Sequence, residues 1–165
     1  FFACWIAAYS FLKRHSESFY AWSNFMAPVF AIGYSLGRWS CFFAGCCYGR
    51  YCEMPWAVKF AWDSDQVPRH PTQIYASLWE LGVFFILIFL EKKKFKDSAE
   101  MHSHFPLFGI WLVLHSLGRL MMEHFRDDFR GSFISGLSIS TWISILVASV
   151  GLILIVKKLK TQSTS

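Results

Sequence analysis

Charged residues divide this chain into long apolar blocks instead of the short periods of a soluble domain. Residues 18–37 hold no charge between Glu17 and Arg38. A helix of that length spans about 30 Å, the thickness of bilayer hydrocarbon. Residues 72–90 are interrupted only by the charge of Glu80, and residues 105–122 contain His115 and Arg119. Residues 137–156 carry no charge at all. Each block predicts one membrane-crossing helix. Residues 1–12 are also apolar but too short to cross. Because the chain opens on Phe1 and not Met, this block reads as the end of a helix that starts upstream. The expected fold is all-α, a polytopic transmembrane bundle with four full spans and the end of a fifth. Residues 1–165 form one integral-membrane domain.

Composition supports lipid as the surrounding solvent. The chain is 55% apolar, 19% aromatic and only 16% charged, against about 25% charged in an ordinary globular domain. Its 18 Phe and 8 Trp exceed the needs of one soluble core of this length. Orientation follows from the cations. Polar segments 13–17, 91–104 and 157–165 carry Lys13, Arg14, Lys92, Lys93, Lys94, Lys96, Lys157, Lys158 and Lys160. Segments 45–71 and 123–136, on the opposite side, carry Arg50, Lys59, Arg69, Arg126 and Arg130. The positive-inside rule makes the first set cytoplasmic, the tail 157–165 included, and leaves 45–71 as an extracytoplasmic loop. Nucleic acid is not an expected partner, since the basic residues sit at helix ends and not in one stripe.

Two arginines stand where charge is expensive. A charged side chain near a bilayer centre costs at least ~2.5–3.5 kcal/mol on insertion scales, so it normally faces a partner or a wet cavity. In "GYSLGRWSCFFAGCCYGR" (33–50), helical spacing puts Tyr34, Arg38, Cys41 and Gly45 on one face. Arg38 either serves a site there or snorkels to the nearby surface. The phrase recurs as "HSLGR", where His115, Arg119, Glu123 and Arg126 form a second polar face. Arg119 either pairs with Glu123 or meets an anion. The arginines can converge on one anion, and a phospholipid headgroup is the commonest at that depth. "RHPTQIY" (69–75) reads as a helix start, with Pro71 in the first turn and Arg69 and His70 before it. Such an end is also a mild anion site.

Cys41, Cys46, Cys47 and Cys52 follow the first arginine. Structural zinc sites favour Cys-x2–4-Cys pairs, and here no second such pair occurs. Adjacent cysteines chelate one metal poorly, so no metal site is expected and Cys41 and Cys46 read as small packing residues. Disulfides are compatible with an extracytoplasmic loop.

Three ordered stretches carry a resemblance to a known family. "GRWSCFFAGCCYGR" (37–50), "RHPTQIY" (69–75) and "SLGRLMMEHFRDD" (116–128) with Gly131 beyond it resemble motifs of the prolipoprotein diacylglyceryl transferases. "GLSISTWISI" (136–145) resembles the start of their last helix. The resemblance covers nearly the whole chain, corresponding to roughly the C-terminal two-thirds of a member. It implies a seven-helix enzyme of the bacterial cytoplasmic (inner) membrane, with its C-terminus inside and its active site towards the extracytoplasmic side. The implied reaction moves the diacylglyceryl group of phosphatidylglycerol onto the lipobox cysteine thiol of a prolipoprotein signal peptide, releasing glycerol phosphate. This is the first step of lipoprotein maturation, and no metal or organic cofactor is implied.

By position, Arg38 matches the arginine associated with binding phosphatidylglycerol and Arg119 the second essential arginine. With His115 they are the expected catalytic residues. Cys41, Gly49, Arg69, His70, Gln73, Tyr75, Glu123 and Arg126 join the two arginines as expected phosphatidylglycerol-binding positions. The chain departs from the pattern in three places. No His-Gly-Gly occurs, His115 stands where members usually have tyrosine, and Ala76 replaces a common glutamate while Glu80 persists one turn later. Two other readings use the same residues. One is a non-catalytic lipid-binding or lipid-transporting membrane protein, and the other a thiol-redox membrane protein built on Cys41–Cys52.

Overall fold

The structure is a computed structural model describing residues 2–15, 18–94, 105–126 and 138–163. It contains five helices: α1 (Phe2–Arg14), α2 (Phe19–Phe43), α3 (Thr72–Lys94), α4 (Leu107–His124) and α5 (Ile139–Ser163). The all-α expectation therefore holds among the described residues, where β-pairing is limited to isolated bridges from Arg69 to Tyr51 and Val58. Each of the four apolar blocks is one helix. Two of them, Thr72–Lys92 and Ile139–Lys160, are long and apolar enough to cross a membrane by length and composition. The other two carry more polar side chains, and polar side chains of α2 and α3 do the joining.

Asn24 shows how. It is fully buried, and its Oδ1 accepts a hydrogen bond from Phe108 N at 2.9 Å. Phe108 lies in the first turn of α4, whose N-cap residue is Pro106 and supplies no side-chain cap. One helix thus satisfies an orphan donor at the start of another. Between α2 and α3, Ser35 Oγ bonds both Ser77 O (3.0 Å) and Ser77 Oγ (2.9 Å). Trp79 on α3 donates to Leu114 O on α4 at 3.0 Å. Such bonds hold helices where apolar burial gives little net attraction, as in lipid.

The packing pairs α2 with α3 and α4 with α5, and contacts of α4 with α2 and α3 close the bundle. Ala27, Ala31, Val83, Leu87 and Leu107 form its buried centre. The α4–α5 crossing is backbone to backbone, since a Cβ at Gly151 would lie 2.8 Å from Gly109 O. Helix α5 exposes Trp142, Leu146, Leu152 and Ile153. Apolar residues on nearly all sides of a helix suit lipid better than water. The lysine-rich segment around Lys96 and the Asp127–Gly131 part of the third motif lie outside the described residues.

Candidate functional site

Helix α2 ends one residue after Phe42 in a Schellman turn. Gly45 N donates to Phe42 O at 3.0 Å and Cys46 N to Cys41 O at 3.1 Å, with Gly45 at φ 64°. This left-handed conformation suits glycine at the position after a helix cap. Gly45 therefore terminates the helix and does not extend the face of Tyr34, Arg38 and Cys41, which corrects the helical-face expectation. The chain then folds back onto α3. Thr72 Oγ1 donates to Cys47 O (2.8 Å) and Gln73 Nε2 to Cys46 O (2.5 Å). These contacts explain Thr-Gln in "RHPTQIY", because the helix start clamps the loop that follows α2.

Gly49 is the centre of that clamp. Its N donates to His70 O (2.8 Å), while Arg50 N donates to Phe125 O at the end of α4 (3.0 Å). A Cβ on Gly49 would meet Phe125 O at 2.5 Å, Thr72 Cγ2 at 2.8 Å and His70 Cβ at 2.9 Å. Three segments meet in a space only glycine fits. Gly49→Ala is expected to destabilise the protein by about 1–3 kcal/mol, the usual range for overpacking. A thermal melt in detergent checks this, and an unchanged midpoint would show that the clamp is loose.

Arg69 and His70 lie inside the same clamp. Arg69 pairs with Asp63 through Nε (2.6 Å) and Nη2 (3.0 Å), and with Asp65 at 3.0 Å. Its guanidinium also lies 5.1 Å from the Tyr48 ring centroid. The hydrogen bonds from Arg69 hold the Asp63 carboxyl below its ordinary value of 3.8. The stabilisation is therefore complete above that value and lost as pH falls through the lower folded one. Hydrogen exchange in loop 45–71 is expected to accelerate on that descent, and Asp63→Asn to remove the pH dependence.

Burial, and then the charge of Arg50, push His70 below its usual range. Trp56 Nε1 donates to Tyr75 Oη at 2.7 Å, and Tyr75 Oη stands 3.2 Å from His70 Nδ1. Both rings pack edge-on to Phe125, with centroids at 5.5 and 5.8 Å. Among the described residues, then, Gly49, Arg69, His70, Gln73 and Tyr75 build the loop and its seat on α3 and α4.

A second constellation lies lower in the bundle, around His115. His115 Nδ1 is 2.7 Å from Oε1 of Glu80, which is 2% exposed. Its ring packs edge-on against Tyr34, with centroids 4.8 Å apart. Tyr34 in turn accepts a hydrogen bond from Arg38 Nη2, and the guanidinium lies 4.7 Å from the Tyr34 ring centroid. A guanidinium has no acceptor, so Tyr34 is the acceptor in this pair.

Arg119 Nη2 donates to Ser140 Oγ on α5 at 2.6 Å. Glu123 Oε1 accepts from Ser138 Oγ at 2.6 Å, and Ser138 Oγ also accepts from Thr141 N at 3.2 Å, capping α5. Of the two readings open for Arg119, the Arg119–Glu123 pair is not formed among the described residues, where each side chain contacts one of two successive serines of "LSIST". The glutamate positions the start of α5 and the arginine leans on it. Arg126 lies beyond the end of α4, with its N donating to Glu123 O at 3.2 Å.

Space surrounds these side chains. A cleft of about 350 Å³ between α4 and α5 is lined by His115, Ser116, Arg119, Ser140, Ser144 and apolar Ile139, Ile143 and Val147. On the other side of His115, an apolar cavity of about 510 Å³ is lined by Val29, Phe30, Gly33, Tyr34 and Trp111. Between them a void of about 10 Å³ touches Tyr34, Glu80, His115 and Arg119, near the minimum for one water. Three polar atoms here, Arg38 Nε, Glu80 Oε2 and Ser116 Oγ, are buried with no hydrogen-bond partner among the described residues. Buried polar atoms are paired in the great majority of cases, so such a group marks a place for a ligand or water. Tyr34, Glu80, Ser116 and Ser140 were not among the site residues expected from sequence. Glu80 had a readable signal, being the one carboxylate in an apolar block.

The cysteines also converge. Sγ atoms of Cys41, Cys46 and Cys47 all lie within 4.8 Å of one another, while Cys52 is buried elsewhere. Burial and then the neighbouring thiols push Cys46 up to about 11.

Comparison with known proteins gives this geometry a lineage. The family description "Prolipoprotein diacylglyceryl transferase" matches residues 1–157. The chain is 29% identical over 150 residues to the phosphatidylglycerol–prolipoprotein diacylglyceryl transferase of Clostridium tetani, covering 89% of this chain and 57% of that protein. It is 30% identical over 161 residues to the protein of that name from Idiomarina loihiensis, covering 96% and 58%. The Streptomyces griseus protein of the same name is 30% identical over 160 residues, covering 96% and 46%. The chain spans about half the length of these curated relatives, somewhat less than the two-thirds expected from the motifs. With the match running unbroken from the first helix through both arginines to the last, the chain belongs to the prolipoprotein diacylglyceryl transferase family.

Proposed function

We propose that this protein transfers the diacylglyceryl group of phosphatidylglycerol to the lipobox cysteine thiol of prolipoproteins, releasing glycerol phosphate. The observation that carries the reading is the cluster of unpaired buried polar atoms beside two arginines and a His–Glu pair, opening into apolar clefts. A phospholipid offers complementary chemistry, with phosphate for the guanidiniums and acyl chains for the apolar walls. The names and family of the relatives support the same substrate pair.

In this reading α2 to α5 cross the bacterial inner membrane. Loop 45–71 lies outside, with Trp56 and Trp62 exposed for the interface, and the C-terminal tail lies inside. Arg119, and Arg38 through its unpaired Nε, hold the phosphate. The Glu80 carboxylate accepts from His115 Nδ1–H, leaving Nε2 as the basic nitrogen. The substrate thiol gives its proton to that nitrogen, and sulfur attacks the glyceryl carbon. A C–S bond forms as the C–O bond to phosphate breaks, and glycerol phosphate leaves with the charge. The proton departs with the phosphate monoester or to solvent. Arginines aimed at the growing charge favour the transition state over the ground state.

The test is transfer by the reconstituted protein from glycerol-labelled phosphatidylglycerol to a lipobox peptide. Thioether product and glycerol phosphate in equal amounts support the reading. Bound lipid with no thioether would make the protein a lipid binder instead.

A further inference from the structure

The geometry points to a three-thiolate site for a soft monovalent metal ion, Cu(I), formed by Cys41, Cys46 and Cys47 at the end of α2. Spacing along the chain argues against such a site, but the helix end creates it. In a Schellman turn the residue three back from the cap and the residue two beyond it approach each other. Here those residues are Cys41 and Cys46, joined by the 3.1 Å bond from Cys46 N to Cys41 O. Cys47 follows with φ 64°, a conformation rare for a residue with a side chain. That unusual turn brings its sulfur within 4.8 Å of the other two.

The site is also held from below. Carbonyls of Cys46 and Cys47 are clamped by Gln73 and Thr72, both nearly fully buried. The Gln73 amide oxygen is itself buried with no partner among the described residues. Backbone clamped at two successive carbonyls presents three sulfurs as a preformed set, and Cys46 is exposed to admit an ion.

Donor type and number select the metal. Three thiolates are soft ligands and favour Cu(I) or zinc over hard cations. Structural zinc is almost always four-coordinate, and among the described residues no histidine or carboxylate joins the three sulfurs. Coordination by three sulfurs suits Cu(I). Binding replaces the thiol protons with one cation and leaves the copper oxidation state unchanged. The proposal is independent of the transfer reaction. It places an ion three residues from Arg38, where it would pin the end of α2.

The test uses the reduced protein in detergent, titrated with Cu(I) against a chromogenic chelator. One equivalent is expected to bind with a sulfur-only first shell by X-ray absorption. Cys41→Ser, Cys46→Ser and Cys47→Ser should each weaken binding by about 100-fold or more, since even outer partners of a metal site contribute about 10–100-fold. Cys52→Ser should change it less than about twofold, as expected for a non-ligand. A second readout needs no variant: Cu(I) should protect the three thiols together from alkylation. Failure to bind, a first shell rich in nitrogen or oxygen, equal loss on Cys52→Ser, or unprotected thiols would each overturn the site.

Discussion

Arg119→Ala is expected to lower thioether formation by about 10²–10³-fold, the usual cost of removing one donor aimed at developing charge. Arg119 lines the α4–α5 cleft and, among the described residues, reaches Ser140 through Nη2, so other donors of the fork are open to a phosphate in the proposed transfer. The loss should fall mainly on kcat, because charge on the phosphate oxygen grows as the C–O bond breaks. Arg119→Lys keeps the charge but loses the planar fork, and it should recover only part of the rate. Ser140→Ala, which removes only the anchor, should be milder. Equal loss from Ser140→Ala and Arg119→Ala would mean that Arg119 only holds α4 to α5. Wild-type kcat in Arg119→Ala would place the phosphate elsewhere.

Glu80→Gln is expected to cost nearly as much. Glu80 is buried and its Oε1 faces His115 Nδ1 at 2.7 Å. A carboxylate can only accept, which forces the proton onto Nδ1 and leaves Nε2 basic. Glutamine has almost the same shape but can donate through its amide, so it also tolerates the opposite tautomer. The corresponding carboxylate-to-amide change in a serine protease triad lowers kcat about 10⁴-fold for this reason. Here a loss of about 10²–10⁴-fold is expected, with lipid binding retained. Nitrogen NMR of His115 should show part of the population shifted from the Nδ1–H to the Nε2–H tautomer. A purely structural Glu80 would instead lower stability and leave the tautomer alone.

Much of the helical architecture was legible because lipid demands long uninterrupted apolar runs. All four blocks became helices, with starts within two residues of those expected and ends that run further. The block of α2 ran on past Arg38 to Phe43, since its true stop was the Gly45 turn and not the charge. The two arginines were legible for the same reason, as costly charges in apolar context. Their partners were not. Helical periodicity relates residues three and four apart on one helix, so it suggested Arg119–Glu123. The contacts to Ser138 and Ser140 run across helices, over separations no local pattern encodes.

The repeated Ser-Leu-Gly-Arg shows the same division. Ser35 bonds Ser77 and Gly37 has open space beside it, whereas Gly118 lies directly under Trp79. One phrase has two packing roles, because its meaning depends on what the neighbouring helix presents.

By itself, the sequence determined the apolar helix blocks, the lysine asymmetry and the ordered motifs of the family. All of these depend on composition and on order along one chain. Only the tertiary structure decided that Arg69 is locked to Asp63, that Glu80 meets His115, and that Gly49 is the seat of the loop. It also decided that three cysteines with unpromising spacing meet at one helix end. Hydrogen bonds and ion pairs reach only about 3 Å, so which groups share one is settled by how helices cross and where the chain turns back.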